Sequence, residues 1–294
     1  MQITANGITL EYETHGPKDG IPLVLIRGLG SQMIHWPAEL YEGLAAHGYY
    51  VIRFDNRDVG LSQRCPHPDA PGDADDILTL TQAGKPVTPA YHLTDMAQDV
   101  TGLMDALNIE TAHVFGISMG GGITQLLVTQ HADRLRSATI VMTAARPLIG
   151  VDQASAMLPM LLSRPLGREA YIDSWVSEHA TNGSPGFPMT EAEIRAEAAL
   201  AFDRGVDADG INRQLLAVLN APDQRPALAQ TSVPCQVIHG EDDALIPVDL
   251  GAEIAATIPN CPFHRIAGMG HIITPDLAPQ IVDLIDTFIQ SQTS

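Results

Sequence analysis

The sequence predicts an α/β protein, a mostly parallel sheet flanked by helices and interrupted by a purely helical insertion. Three observations carry that prediction. Strand-like and helix-like segments alternate through residues 1–144 and again from about Pro234. The stretch between them shows no strand pattern. One serine stands between two glycines where a strand pattern gives way to a helix pattern. Alternation of this kind puts helices on the faces of a parallel sheet.

Taken in order, the chain opens on a β-hairpin whose second strand falls near Ile8–Thr14. Short apolar runs at Leu23–Ile26, Tyr50–Arg53, Ala112–Phe115 and Thr139–Met142 read as strands buried on both faces. Thr94–Leu107 repeats Met96, Val100, Leu103, Met104 and Leu107 at helical spacing, and Ile123–Val128 reads as a buried helix. Asp69–Pro89 is rich in Pro, Gly and Asp and reads as a flexible surface loop. From 145 to 232 the pattern is helical, with helices near Ala154–Leu162, Arg168–His179, Glu191–Phe202 and Ile211–Leu219. Thr190-x-x-Glu193 is a capping box that opens the third of these. Strands return at Cys235–Gly240 and Phe263–Ala267. Pro247 fits the first turn of a helix, and an amphipathic helix near Pro279–Ile289 closes the pattern. Residues 1–144 and 233–294 therefore form one domain, and 145–232 an inserted one.

The chemistry concentrates at the ends of these strands. Gly116-Ile117-Ser118-Met119-Gly120 matches the G-x-S-x-G turn, in which a serine sits on a tight bend between strand and helix. Both glycines are needed because side chains there would collide with neighbouring backbone. The start of the following helix favours negative charge beside Ser118. A serine is unreactive at neutral pH without a base and an acid to orient it. His271, on the glycine-flanked loop Gly268-Met269-Gly270-His271 after a strand, is the base of choice among eleven histidines. His113 and His239 lie in apolar strands and read as core residues. Glu241, Asp242 and Asp243 follow the strand Cys235–Gly240 and supply the acid, with Asp243 preferred and Asp242 second. The order Ser, Asp, His is that of one fold class of hydrolases and not of chymotrypsin or subtilisin. A fourth element is Arg27-Gly28-Leu29-Gly30 after the strand Leu23–Ile26. Its backbone N–H, with that of Met119, suits an oxyanion hole for a tetrahedral intermediate.

These elements together resemble the α/β-hydrolase fold superfamily over nearly the whole chain. Asp55-Asn56-Arg57-Asp58-Val59-Gly60-Leu61-Ser62 is similar to the loop this superfamily carries after its fourth strand, and Met119-Gly120-Gly121 is familiar after its nucleophile. Within it, the Asp-x-Arg-Asp-x-Gly-x-Ser form and Gly-Met-Gly-His most resemble the aclacinomycin methylesterase group of carboxylic ester hydrolases. The resemblance implies an eight-stranded sheet with a helical cap inserted after strand 6. It places the acid on Asp243, before Pro247, and the oxyanion donors on Leu29 and Met119. It implies a serine carboxylesterase acting through an acyl-enzyme on short- to medium-chain or bulky apolar esters. Cofactor-free haloperoxidase or perhydrolase, lactonase, C–C hydrolase and acyltransferase activities reuse the same three residues, and a hydrolase-like small-molecule receptor is a further alternative. An aspartate-nucleophile epoxide hydrolase or dehalogenase is excluded by Ser118. Many relatives begin the oxyanion loop with histidine, where this chain has Arg27. In the cap, Met157, Leu158, Met160, Leu161, Leu162, Trp175, Phe187, Met189 and Phe202 either line an acyl or ring pocket or form the cap's own core.

Composition works by exclusion, and the small-molecule ester partner is what the resemblance implies. The net charge of −19, with Lys18 and Lys85 the only lysines, repels nucleic acid and anionic membranes. No stretch is long and apolar enough for a transmembrane helix. The start of the chain lacks the basic and apolar regions of a signal peptide. Cys65, Cys235 and Cys261 are too few and scattered for a disulfide framework, which fits a cytoplasmic enzyme. H-E-x-x-H, P-loop and C-x-x-C patterns are absent, and Gly28-x-Gly30 is followed by Met33 where a dinucleotide fingerprint needs glycine. No cofactor and no metal are expected.

Overall fold

Six runs that alternate with helices are expected to stack as parallel strands, and they do. The computed structural model describes residues 1–68, 70, 75, 77, 79, 80, 83, 87–147, 165 and 167–292. Its sheet has eight strands: β1 (Gln2–Ala5), β2 (Ile8–His15), β3 (Ile21–Ile26), β4 (Tyr49–Phe54), β5 (Ala112–Ile117), β6 (Leu135–Val141), β7 (Cys235–Gly240) and β8 (Phe263–Ile266). Their order is β1-β2-β4-β3-β5-β6-β7-β8. Only β1 and β2 run against their neighbours; β4 to β8 are parallel. β6 begins at Leu135 rather than near Thr139. Exposed Arg136 interrupts the apolar run, yet Leu135 and Ser137 still pair with Ala112 and His113.

Helices cover both faces of this sheet. On one face α1 (Ala38–Ala46) packs against α9 (Ala278–Ser291), with Leu40, Leu44, Ile281, Val282 and Ile285 buried against Leu23, Leu25 and Phe115. On the other, α2 (Leu93–Ala106) and α3 (Met119–Gln130) bury Met96, Val100, Met104, Leu126 and Leu127 against Val24, Val114 and Ala138. α8 (Val248–Thr257) adds Ile254 to the same layer. Between β6 and β7 lie α4 (Arg168–Asn182), α5 (Glu191–Arg204), α6 (Ala208–Leu219) and the short α7 (Arg225–Leu228). The Thr190 hydroxyl accepts the Glu193 N–H and the Glu193 carboxylate accepts the Thr190 N–H, so the capping box forms as its spacing requires. The expected helix Ala154–Leu162 lies outside the described residues.

The connection expected to be a surface loop is partly buried. Asp75, Ile77, Thr79 and Leu80 are helical, and Ile77 is fully buried beside Leu215 and Leu216 of α6. Its high Pro and Gly content hid a small apolar cluster of Ile77, Leu80 and Val87 with the insertion; most of Asp69–Pro89 lies outside the described residues.

The insertion is also fastened to the sheet by buried charge. Asp58, fully buried, accepts two bonds from the Arg213 guanidinium at 2.7 and 3.0 Å, one from the Tyr91 hydroxyl and one from the Cys65 N–H. Asp55 accepts the N–H groups of Met33 and Leu61 and the guanidinium of Arg204. The acidic loop that the sequence offered as a family signature is thus a socket for two cap arginines. Arg213→Met is expected to destabilise the protein by about 3–5 kcal/mol, because Asp58 then stays buried without its cation. Equilibrium unfolding in urea checks this, and a loss below about 1 kcal/mol would show that Asp58 is satisfied without Arg213.

Candidate active site

β5 is apolar and central, so its C-terminal end opens at the middle of one sheet edge. There the chain turns sharply into α3. Ser118 adopts φ 57° and ψ −121°, a conformation rare for any residue with a side chain. The bend persists because the surroundings leave no alternative. A Cβ at Gly116 would strike the Gly120 carbonyl and the Thr124 hydroxyl, and one at Gly120 would strike the Ile26 carbonyl. The Ser118 N–H is held by the Val141 carbonyl at 2.9 Å. Its side chain, half-buried, lines a cavity of about 430 Å³ between the sheet edge and the insertion.

His271 lines the same cavity. Asp243 lies behind it, with a fully buried carboxylate that accepts the His271 Nδ1–H at 2.7 Å. That bond fixes the tautomer and leaves His271 Nε2 as the acceptor. Burial disfavours a charged Asp243, but His271 opposite it, the His239 and His271 hydrogen bonds and the Ile246 N–H outweigh that and hold its carboxyl well below the usual range. The Leu245 N–H adds a further bond at 2.9 Å. Asp242 points elsewhere: its carboxylate is exposed and accepts the Gly268 N–H at 2.8 Å.

The two remaining site residues also meet this cavity. Leu29 and Met119 both line it, and among the described residues neither N–H has a hydrogen-bond partner. Met119 is the first residue of α3, where unpaired N–H groups are the rule. Gly28 packs against Ser118, a Cβ there falling 3.1 Å from Ser118 Cβ, so the loop runs alongside the serine.

Three supporting side chains and one backbone carbonyl were not legible as such. Gln214 of α6 accepts the Gly30 N–H at 2.9 Å and donates to the Arg57 carbonyl at 2.7 Å, tying the Arg27–Gly30 loop to the insertion. Ser184 accepts the Gly270 N–H at 3.0 Å and donates to the Ile272 carbonyl, clamping the chain on either side of His271. The Asn182 carbonyl accepts the His271 N–H at 2.7 Å. His239, expected to be a plain core histidine, is fully buried but sits 3.5 Å from Asp243 while its Nε2–H donates to the Ile246 carbonyl. The contact spans only four residues, from the end of β7 into the loop that follows it. His113 matches its expected core role, bonded to Ser137 with burial holding its pKa down at about 4. The expected cap residues divide. Trp175 and Met189 line the cavity, whereas Phe202 packs within the cap beside Tyr171 and Phe187 packs toward the sheet side with Met269. Met157, Leu158, Met160, Leu161 and Leu162 lie outside the described residues.

Among the described residues, no three His, Cys, Asp or Glu side chains cluster to hold a metal ion, and the three cysteines are unpaired. No described helix is long and apolar enough to cross a membrane.

A family model described as the alpha/beta hydrolase fold matches residues 21–276. The rhodomycin D methylesterase DauP of a Streptomyces species is 28% identical, the match covering 92% of this chain and 91% of that protein. A 3-oxoadipate enol-lactonase of Acinetobacter baylyi is 29% identical over 84% of this chain and 80% of its own length. Among solved structures, the enol-lactonase of Burkholderia xenovorans superposes with a TM-score of 0.73 at 25% identity, over 99% of this chain and all of the other.

Proposed function

The chain belongs to the α/β-hydrolase fold family, and on that footing we propose that it is a serine carboxylesterase in which Ser118, His271 and Asp243 form the triad. The observation that carries the reading is Ser118 on its strained turn, facing a cavity that also holds His271, whose far nitrogen is tied to buried Asp243. Ser118 Oγ attacks the ester carbonyl carbon while His271 Nε2 takes its proton. The carbonyl oxygen becomes an anion received by the Leu29 and Met119 N–H groups. Collapse expels the alcohol, which takes the proton from His271, and leaves an acyl group on Ser118. Water, deprotonated by His271, attacks that acyl carbon, and the carboxylic acid departs.

The helical residues between β6 and β7 act as a cap that shapes the pocket. Their Trp175 and Met189, with Leu29, Ile34, Leu215 and Ile273, make its wall mainly apolar, and about 430 Å³ suits a short- to medium-chain acyl group or a compact ring. Rhodomycin D methylesterase is named for action on a methyl ester, which agrees with this substrate class. A second reading is lactonase, since a lactone is an internal ester and two of the compared proteins are enol-lactonases.

Incubation with a serine-directed fluorophosphonate, followed by peptide mass mapping, is expected to place one adduct on Ser118 and to abolish p-nitrophenyl butyrate hydrolysis in proportion to labelling. An adduct on another residue, with activity retained, would overturn the assignment. A receptor with incidental turnover is expected to stall after one acylation, so sustained release of p-nitrophenol separates the two classes.

A further inference from the structure

Arg27 opens the loop that runs past Ser118. It lines the cavity and is nine-tenths buried. A guanidinium offers five N–H donors in a planar fork. Here it makes one long hydrogen bond, Nη2 to the Ser31 hydroxyl at 3.4 Å, and Nε is buried without a partner. Its face rests on the Trp36 ring at 4.5 Å, which compensates part of the charge but satisfies no donor. Among the described residues no carboxylate forms an ion pair with it. An unpaired buried cation is costly to keep, and a water-filled pocket only partly relieves it.

The wall around Arg27 points the same way. Trp175 lines the same cavity with its indole Nε1–H buried and unpartnered, a donor that cannot act as an acceptor. Glu197 of α5 also lines the cavity; burial raises its carboxyl to about 7, against the pull of Arg27. Near neutral pH a large share of it carries a proton, so it does not cancel the guanidinium in full. Desolvation lowers Arg27 itself only to about 10, which leaves it charged. The cavity wall therefore carries unmet donors at Arg27 and Trp175, with the carboxyl groups of Glu178 and Glu197 on the same lining. An acceptor-rich anion is the chemistry that satisfies those donors, and the guanidinium fork matches the two oxygens of a carboxylate.

We propose that Arg27 is a specificity-determining residue that binds a carboxylate carried by the substrate, so that the preferred substrates are monoesters of dicarboxylic acids, or lactones with a free carboxylate. The inference rests on the esterase reading and adds a second, anionic subsite to the apolar pocket. A substrate carboxylate on Arg27 takes the bidentate bonds the protein leaves open, and the Trp175 N–H is a further donor on the same wall.

The test compares monomethyl esters of C4 to C8 dicarboxylic acids with methyl esters of monocarboxylic acids of equal length, followed by methanol release. In the unaltered protein kcat/KM is expected to favour the carboxylated ester at the matching length. Arg27→Gln is expected to lower the carboxylated-to-neutral ratio at least about tenfold, mainly through KM, with Arg27→Lys intermediate. A displaced loop would instead slow both esters alike and leave the ratio unchanged, which overturns the proposal, as does a wild-type preference for the neutral ester at every length. If neither ester turns over, the esterase reading fails on its own. Titration calorimetry of the same monoesters with Ser118→Ala still judges Arg27, since binding must then weaken at least about tenfold on adding Arg27→Gln.

Discussion

Ser118→Ala is expected to lower kcat toward esters by about 10⁶-fold, while the circular dichroism spectrum and unfolding midpoint stay near those of the parent. The size of the effect follows from what Ser118 does alone. Without its oxygen there is no acyl-enzyme, and His271 has no proton to accept. The Leu29 and Met119 N–H groups still favour the charge that develops when water attacks directly, so a residual rate above the uncatalysed one is expected. Stability is expected to hold because the bend is enforced by Gly116, Gly120 and the bond from Ser118 N–H to Val141, none of which involves Oγ. Relief of a hydroxyl from a positive-φ residue changes little, since alanine keeps the same Cβ. A fall of less than about a hundredfold would mean that another nucleophile does the work, and phosphonate mapping would show which.

Much of this architecture was legible because it is local. A strand pattern followed by Gly-x-Ser-x-Gly needs only ten residues to declare itself, although the bend is enforced partly by Ile26 and Val141 on the neighbouring strands. The parallel sheet followed from apolar runs such as Leu23–Ile26 and Ala112–Phe115, which are continuous because both faces are covered. The order of strands across the sheet and the pairing of Asp243 with His271 are of a different kind. They join segments 28 residues apart through the spacing of β7 and β8, and three adjacent acids looked alike until that spacing aimed one of them. Gln214 and Ser184 were invisible for a stronger reason. Each is a single polar residue in the insertion, 184 and 86 residues from the backbone amide it holds, and no periodicity marks such a contact. Ile77 was missed for the opposite reason: a Pro- and Gly-rich neighbourhood is a sound sign of a loop, yet Ile77 and Val87, with Leu80, bury part of it against α6. Arg27 stood out by its residue type, but that its donors go unmet is a property of the folded pocket.

Asp243→Asn is expected to lower kcat by about 10⁴-fold with a small change in KM, and Asp242→Asn to leave both within about threefold. The asymmetry is geometric. Asp243 accepts the His271 Nδ1–H, whereas an amide turned to offer its NH₂ there stabilises the tautomer with the proton on Nε2, and that nitrogen can then no longer take the serine proton. The amide also gives up the negative charge that favours the imidazolium in the transition state. Asp242 only receives the Gly268 N–H at the surface, a contact that an asparagine oxygen reproduces. Acid cannot stand in for the mutation. The folded-state pKa of Asp243 is depressed, so its stabilising contribution is complete above the ordinary carboxylate pKa of about 3.9 and disappears only as pH falls through its lower folded value. Across pH 5 to 9 the carboxylate therefore stays ionised, and an acid limb of kcat/KM in that window reports the base and not Asp243. The substitution is expected to lower the whole profile, with any activity regained at high pH coming from hydroxide attack in place of His271. Kinetics of both variants on a soluble ester from pH 5 to 9 decide the matter: a loss confined to Asp242→Asn would transfer the acid to Asp242, and equal, mild effects would show that His271 is oriented by Asn182 and Ser184 alone.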